Sequence, residues 1–303
     1  MLLAMVAFLA VSLVPAGAWA WGPITHLAHG ADVLADLTIL GAGLQQILRR
    51  HRLEYLYGCV GADITQAKKY TRAQQAHCHS WEVGWSVLDR AGTAAQRAFA
   101  YGYLTHLAGD CYSHNHYVPT QLIVSYSART LRHTYWEARF DILQETEHRQ
   151  IISDLRRQRF PECDQLVRDV VSRTLFPFRT DKRIFDSFIA VHDLDQWYRI
   201  IRRLTATSRY ALPQAVVARY NAVCRAAVFD LLQKGKRAGC QQADPTGLEA
   251  LALAKEIRGM LRTLDRRGIV PLKLREDIAA LDARDDLETA AAFHPLRLSM
   301  ARG

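Results

Sequence analysis

The 303-residue chain has no C-x-x-C pair and no zinc-ribbon spacing among its six cysteines, which excludes a ribbon-type structural zinc site. Alternating strand-like segments bounded by hairpin turns are scarce, so a β-rich fold is not expected. Internal repeats and low-complexity linkers are missing, and beyond the first residues no stretch is apolar for long enough to span a bilayer. Histidine nearly vanishes after about residue 205, where Ala, Leu and Arg take over.

What is present begins with a leader. Residues 2–14 read LLAMVAFLAVSLV, followed by Pro15 and AGAWA, with Ala18 and Ala20 in the two small-residue positions of a cleavage site. No Lys or Arg precedes the apolar run, so an uncleaved N-terminal anchor is the alternative to export. The expectation is a signal peptide over 1–20, a mature chain starting at Trp21, and a secreted or periplasmic protein. The net charge of +9 favours anionic partners such as phosphates, nucleic acid or acidic lipid headgroups, without choosing among them. The six cysteines form an even set, which export would allow to pair, and a Cys59–Cys78 bridge is expected.

The apolar periodicity is helical almost throughout, over 24–40, 43–57, 72–90, 94–113, the stretch LRHTYWEARFDILQETEHR, 161–174 and 185–204. Pro213 opens a further helix, and Asp244-Pro245 reads as an N-cap followed by proline at the first helical position. An all-α protein follows.

Nine of the 12 histidines lie between His26 and His133. In GYLTHLAGDCYSHNHYVP, His106 and Asp110 are four apart and project from one helix face, an arrangement that holds a divalent metal. His114 and His116 follow, and His133 with Glu137 repeats the four-residue spacing on another helix. Asp63, with His77 and His79 downstream, and Trp21 with His26 complete the set. These are N and O donors of the kind zinc accepts. His79 competes with His77, and His114 with His116, because helical geometry aligns His114 better with Asp110. His29 is read as a core or supporting histidine.

In order and spacing these motifs resemble the zinc-dependent phospholipase C family, related to the S1/P1 single-strand nucleases. His106, Asp110 and His116 fit its H-x-x-x-D-x-x-x-x-x-H motif, His133 and Glu137 its later H-x-x-x-E, and Asp63 with His77 its upstream aspartate and histidine. Trp21 fits its mature N-terminal tryptophan. The resemblance implies a multi-helix, P1 nuclease-like bundle with three zinc ions in a cleft: one held by Trp21, His26 and Asp110, a second by Asp63, His77, His106 and Asp110, and a third by His116, His133 and Glu137. It further implies hydrolysis of phospholipid headgroup esters by a metal-activated water, with Asp63 as general base or water-orienting group. Single-strand nuclease or nucleotidase activity is the alternative, and a non-catalytic zinc-stabilised binding protein a third reading. The pair His133/Glu137 leans toward the phospholipases and the start WGPITH toward the nucleases. Tyr55, Tyr57, Trp81, Trp85 and Tyr117 are candidates for stacking on a base or holding choline, with a core role as the plainer expectation. The expected organisation is a signal peptide (1–20), a catalytic domain (21–205) and a helical extension (206–303). The expected partner is a phospholipid substrate, with contact at a membrane surface; single-stranded nucleic acid is the alternative substrate, and no stable protein partner is evident.

Overall fold

The computed structural model describes residues 21–65, 77–128, 133–144, 146–171 and 176–281. Its elements are helical, and among the described residues no strand occurs. The expected signal peptide lies outside the described residues.

The site-bearing half is built around one helix. α1 (Pro23–Ala35) starts on a proline whose missing N–H costs nothing at that position. α2 (Ala42–Arg50) and α3 (Arg52–Gly58) meet at His51, whose backbone (φ −120°, ψ 47°) leaves the helical region and divides what the periodicity gives as one helix over 43–57. A short 3-10 turn, Gly61–Ile64, carries Asp63. In α4 (Trp81–Asp89) the Ser80 hydroxyl caps the amino end, accepting from Val83 N at 3.2 Å. α5 (Ala94–Tyr112) opens with a reciprocal cap: Thr93 Oγ1 accepts from Gln96 N (3.1 Å) and Gln96 Oε1 from Thr93 N (3.3 Å). Helices that are buried on every side belong to the middle of a bundle, and α5 is buried at almost every residue from Ala98 to Cys111.

Glycine brings α3 against α5. A Cβ on Gly102 would lie 2.0 Å from the Tyr55 carbonyl oxygen, and one on Gly58 would lie 2.0 Å from that of Phe99. The contact is backbone to backbone, and it delivers the end of α3 to the part of α5 that carries His106.

α5 does not stop at Tyr112. A π turn over Ser113–Tyr117 carries it into α6 (Val118–Val124), which holds Pro119 in its first turn. α7 (His133–Asp141), α8 (Thr146–Arg156), α9 (Pro161–Val170) and α10 (Phe178–His192) follow. α10 ends before α11 (Asp195–Ala206), which divides the expected helix over 185–204 at Asp193–Leu194. Pro213 does precede a helix, α12 (Gln214–Lys234). Asp244-Pro245 does not start one. Asp244 closes a turn instead, accepting from Thr246 N (3.0 Å), and α13 (Leu248–Arg266) begins after Gly247, with α14 (Leu272–Ala279) beyond.

Two apolar cores result. The first gathers α1 to α5 with α8 to α11 and the later part of α12. The second joins Trp21, Tyr117, Trp136 and Phe140 to Val217, Tyr220 and Cys224 of α12 and Ile257 and Leu261 of α13. Residues after 205 therefore share a core with residue 21 and with α6 and α7. No described helix is long and apolar enough to cross a membrane.

All six cysteines are buried free thiols, so the expected Cys59–Cys78 bridge is not formed. Cys59 instead packs beneath Gly30, where a Cβ would come within 2.7 Å of its sulfur, while Cys78 Sγ lies 3.3 Å from His79 Nδ1.

His192, at the end of α10, is buried between Phe188 and Trp197, and its Nδ1–H donates to Phe188 O at 3.0 Å. Burial lowers its pKa to about 4 against an ordinary 6.5. The unfolded chain therefore binds this proton first, and the stability contributed by the neutral imidazole is lost as pH falls from 6.5 toward 4. Urea midpoints of metal-stripped protein should drop between pH 7 and pH 5. The drop should be smaller in His192→Phe; an equal drop in both chains would show that this histidine contributes nothing to it.

Candidate metal centre

Four elements aim nitrogen and oxygen donors at one buried point. α1 supplies His26, the 3-10 turn Asp63, the turn before α4 His79, and α5 both His106 and Asp110. Asp110 is the centre of the group. Its Oδ1 lies 3.3 Å from His26 Nε2, and its Oδ2 lies 3.1 Å from His79 Nε2 and 3.2 Å from His106 Nε2. Asp63 Oδ1 lies 3.4 Å from His79 Nε2. The His26 and His106 rings stack at 3.7 Å. Each oxygen of one carboxylate thus faces a different imidazole set.

The protonation states suit cation binding. Burial, followed by the charge of His106, lowers His26 to about 4, so its ring is neutral at neutral pH. Burial pushes Asp110 upward, but the charge of His106 and the close imidazoles of His106, His26 and His79 outweigh it, holding the carboxyl well below its ordinary value. His106 Nδ1–H donates to Cys59 O at 2.9 Å, which turns Nε2 toward Asp110. That nitrogen lies 3.0 Å from His79 Nε2. Both oxygens of Asp110 and both ring nitrogens of His26 are fully buried without a hydrogen bond of proper geometry. A buried carboxylate without a hydrogen bond is costly unless a cation offsets its charge. The donor set fits zinc.

A second group forms on the π turn and α7. His133 Nε2 is 2.6 Å and His114 Nε2 3.9 Å from Glu137 Oε1, with the two rings edge to face at 5.2 Å. All three residues are buried. His114 Nδ1–H donates to Pro245 O at 2.7 Å, which turns Nε2 toward Glu137.

The structure differs from the sequence expectation at two of the paired choices. His79, not His77, faces Asp63, His106 and Asp110; His77 Nδ1 accepts from His79 N at 3.1 Å, within the trio His77, Cys78 and His79. His114, not His116, meets His133 and Glu137, and the His116 ring stacks on Tyr112 at 5.7 Å. The family spacing favours His116, whereas helical geometry already places His114 nearer the Asp110 face; both lie on the π turn, whose wider winding redirects the side chains after Tyr112. Trp21 is buried with its indole N–H donating to Gly109 O at 3.0 Å, one residue from Asp110, and its ring stacked on Tyr117. His29 is buried behind His26, its Nε2 3.4 Å from Asn221 Oδ1, as a supporting histidine should be. Of the aromatic candidates, Tyr55, Tyr57 and Tyr117 are core residues. Trp81 and Trp85 tie their indoles to Ala243 O and Gln241 Oε1.

Sequence reasoning missed the carbonyls of Cys59 and Pro245, which orient the two imidazoles, and Asp141. Asp141, from α7, accepts from Thr25 N (2.7 Å) and Thr25 Oγ1 (2.9 Å), so a side chain from another helix caps the start of α1. Burial raises its pKa to about 7. Local sequence carries no signal for any of the three.

The class that fold and site define is an all-helical protein with buried clusters of imidazole and carboxylate donors that could hold metal ions. Residues 25–181, half of the chain, match the zinc dependent phospholipase C family, and the chain belongs to that family. No curated protein and no solved structure matches it.

Proposed function

We propose that this protein is an exported, three-zinc phosphodiesterase that hydrolyses phospholipid headgroup esters. The observation that carries the reading is Asp110, a fully buried carboxylate whose two oxygens face His26 on one side and His79 and His106 on the other. Family membership supports the zinc and the phospholipid. In this reading Trp21, His26 and Asp110 hold one ion; Asp63, His79, His106 and Asp110 the second; His114, His133 and Glu137 the third. Trp21 takes part through a mature amino terminus, which ties the site to cleavage after Ala20.

Zinc bound there supplies Lewis acidity, which polarises a phosphoryl oxygen and makes water a competent nucleophile near neutral pH. The chain's own contribution is positional. Cys59 O and Pro245 O fix which nitrogen of His106 and His114 carries the proton. Asp63, buried beside His79, orients the attacking water and accepts its proton. Asp110 keeps the first two sites at a fixed separation.

The test is zinc content with hydrolysis of a phosphocholine ester and of single-stranded DNA, measured side by side on the mature protein and on His106→Ala. Three zincs per chain and headgroup release that the substitution removes are expected. DNA cleaved with the ester untouched would transfer the site to the nuclease reading. Zinc with neither substrate cleaved would leave a zinc-stabilised binding protein, and no zinc would overturn the metal centre.

A further inference from the structure

We infer that the segment Cys240–Gly247, outside the part of the chain that matches the family, is a positioning element of the third metal site, acting through the contact of Pro245 O and Gly247 with His114. This inference rests on the assignment of His114, His133 and Glu137 to one metal ion.

The segment lies directly on the π turn. Pro245 O accepts the His114 Nδ1–H at 2.7 Å, a bond that fixes the ring's orientation and its protonated nitrogen together. Gly247 backs the same residue so closely that a Cβ there would sit 2.4 Å from His114 Cβ and 2.4 Å from His114 O. Its φ of +56° is a left-handed conformation that side chains disfavour, so two separate constraints demand glycine. Only a residue without a side chain lets the turn close on the backbone and Cβ of His114.

The rest of the segment is tied down from the site side. Asn115, the neighbour of His114, donates from Nδ2 to Asp244 O at 2.8 Å and to Cys111 O at 2.9 Å. Trp81 donates to Ala243 O at 2.9 Å, and Trp85 to Gln241 Oε1 at 2.9 Å. Within the turn, the Asp244 carboxylate accepts from Thr246 N at 3.0 Å and from the Thr246 hydroxyl. These bonds set the direction in which the Pro245 carbonyl points. A π turn is an unusual winding that needs support, and here the support comes from 131 residues away in sequence.

The experiment is zinc affinity, site by site, by chelator competition on the mature chain, on Gly247→Ala and on the double variant Trp81→Phe/Asn115→Ala, with far-UV circular dichroism on each. In Gly247→Ala one of the three zinc equivalents should weaken by about 10- to 100-fold, the range seen when a partner orienting a metal-ligating histidine is lost. The other two should keep their affinity. The double variant, which loosens the segment without touching Gly247, should weaken the same equivalent to a smaller degree, and it decides the matter if Gly247→Ala does not fold. Unchanged affinity at all three sites in a folded variant would overturn the inference. A parent chain that binds only two zincs, with His114→Ala indistinguishable from it, would overturn the third site itself and not merely its support.

Discussion

Asp110→Asn should reduce the zinc content of the mature chain from the proposed three ions to one and lower the proposed phosphodiester hydrolysis by about 10³-fold or more. The substitution preserves volume and shape but replaces one anionic oxygen by an N–H donor. In the parent chain Oδ1 faces His26 and Oδ2 faces His79 and His106, all at 3.1–3.3 Å. An amide cannot offer a lone pair in both directions. Whichever way it turns, an NH₂ group points at a ring nitrogen, and the proposed bridge between the first two ions is gone. Metal charge stabilisation is worth several kcal/mol in phosphoryl transfer, and each 1.36 kcal/mol is tenfold in rate, which gives about 10³.

His114, His133 and Glu137 form their own group without Asp110, so the third ion should stay. Metal analysis and kcat/KM on the same preparation test both halves. Full zinc content with activity within tenfold of the parent would remove Asp110 from the centre of the site.

How much of this was legible before the structure depends on whether a ligand sits on a regular helix. His106 with Asp110 and His133 with Glu137 could be paired from spacing alone, because both pairs lie on uninterrupted α-helices where residues four apart share a face. His77 and His79 could not be separated, since they belong to the turn before α4, where no period relates sequence to direction. His114 and His116 both lie within a π turn whose presence no composition signal announces. The aspartate that caps α1 and the carbonyl that orients His114 come from residues more than 100 positions away. The all-helical character was readable from periodicity. The breaks at His51 and at Asp193–Leu194 were not, because neither carries a glycine or proline to mark it. The cysteines show the opposite failure: an even count invited a bridge, and all six are buried as free thiols instead.

Gly102→Ala should destabilise the protein by about 3 kcal/mol and weaken zinc binding, although residue 102 touches no proposed ligand. The new methyl carbon would lie 2.0 Å from the Tyr55 carbonyl oxygen, 2.8 Å from Cys59 N and 2.8 Å from Gly58 Cα. These are backbone atoms, so no rotamer change relieves the overlap and the two helices must separate; overpacking of this kind costs about 1–3 kcal/mol and occasionally more. The separation has a specific consequence. Tyr55 O holds Cys59 N at 3.0 Å, and Cys59 O in turn receives the His106 Nδ1–H at 2.9 Å, one helical turn along α5 from residue 102. Moving the end of α3 therefore withdraws the acceptor that orients His106. Gly43→Ala is the matching control. Gly43 is an exposed residue inside α2 with no atom within 4 Å of an added Cβ, so its substitution should stabilise by about 0.5–1 kcal/mol through helix propensity alone. At about 2–4 °C per kcal/mol for a chain of this class, thermal unfolding should separate the two variants by roughly 10 °C in opposite directions from the parent. If Gly102→Ala melts with Gly43→Ala and keeps its zinc, the close approach of α3 and α5 does not hold His106 in place.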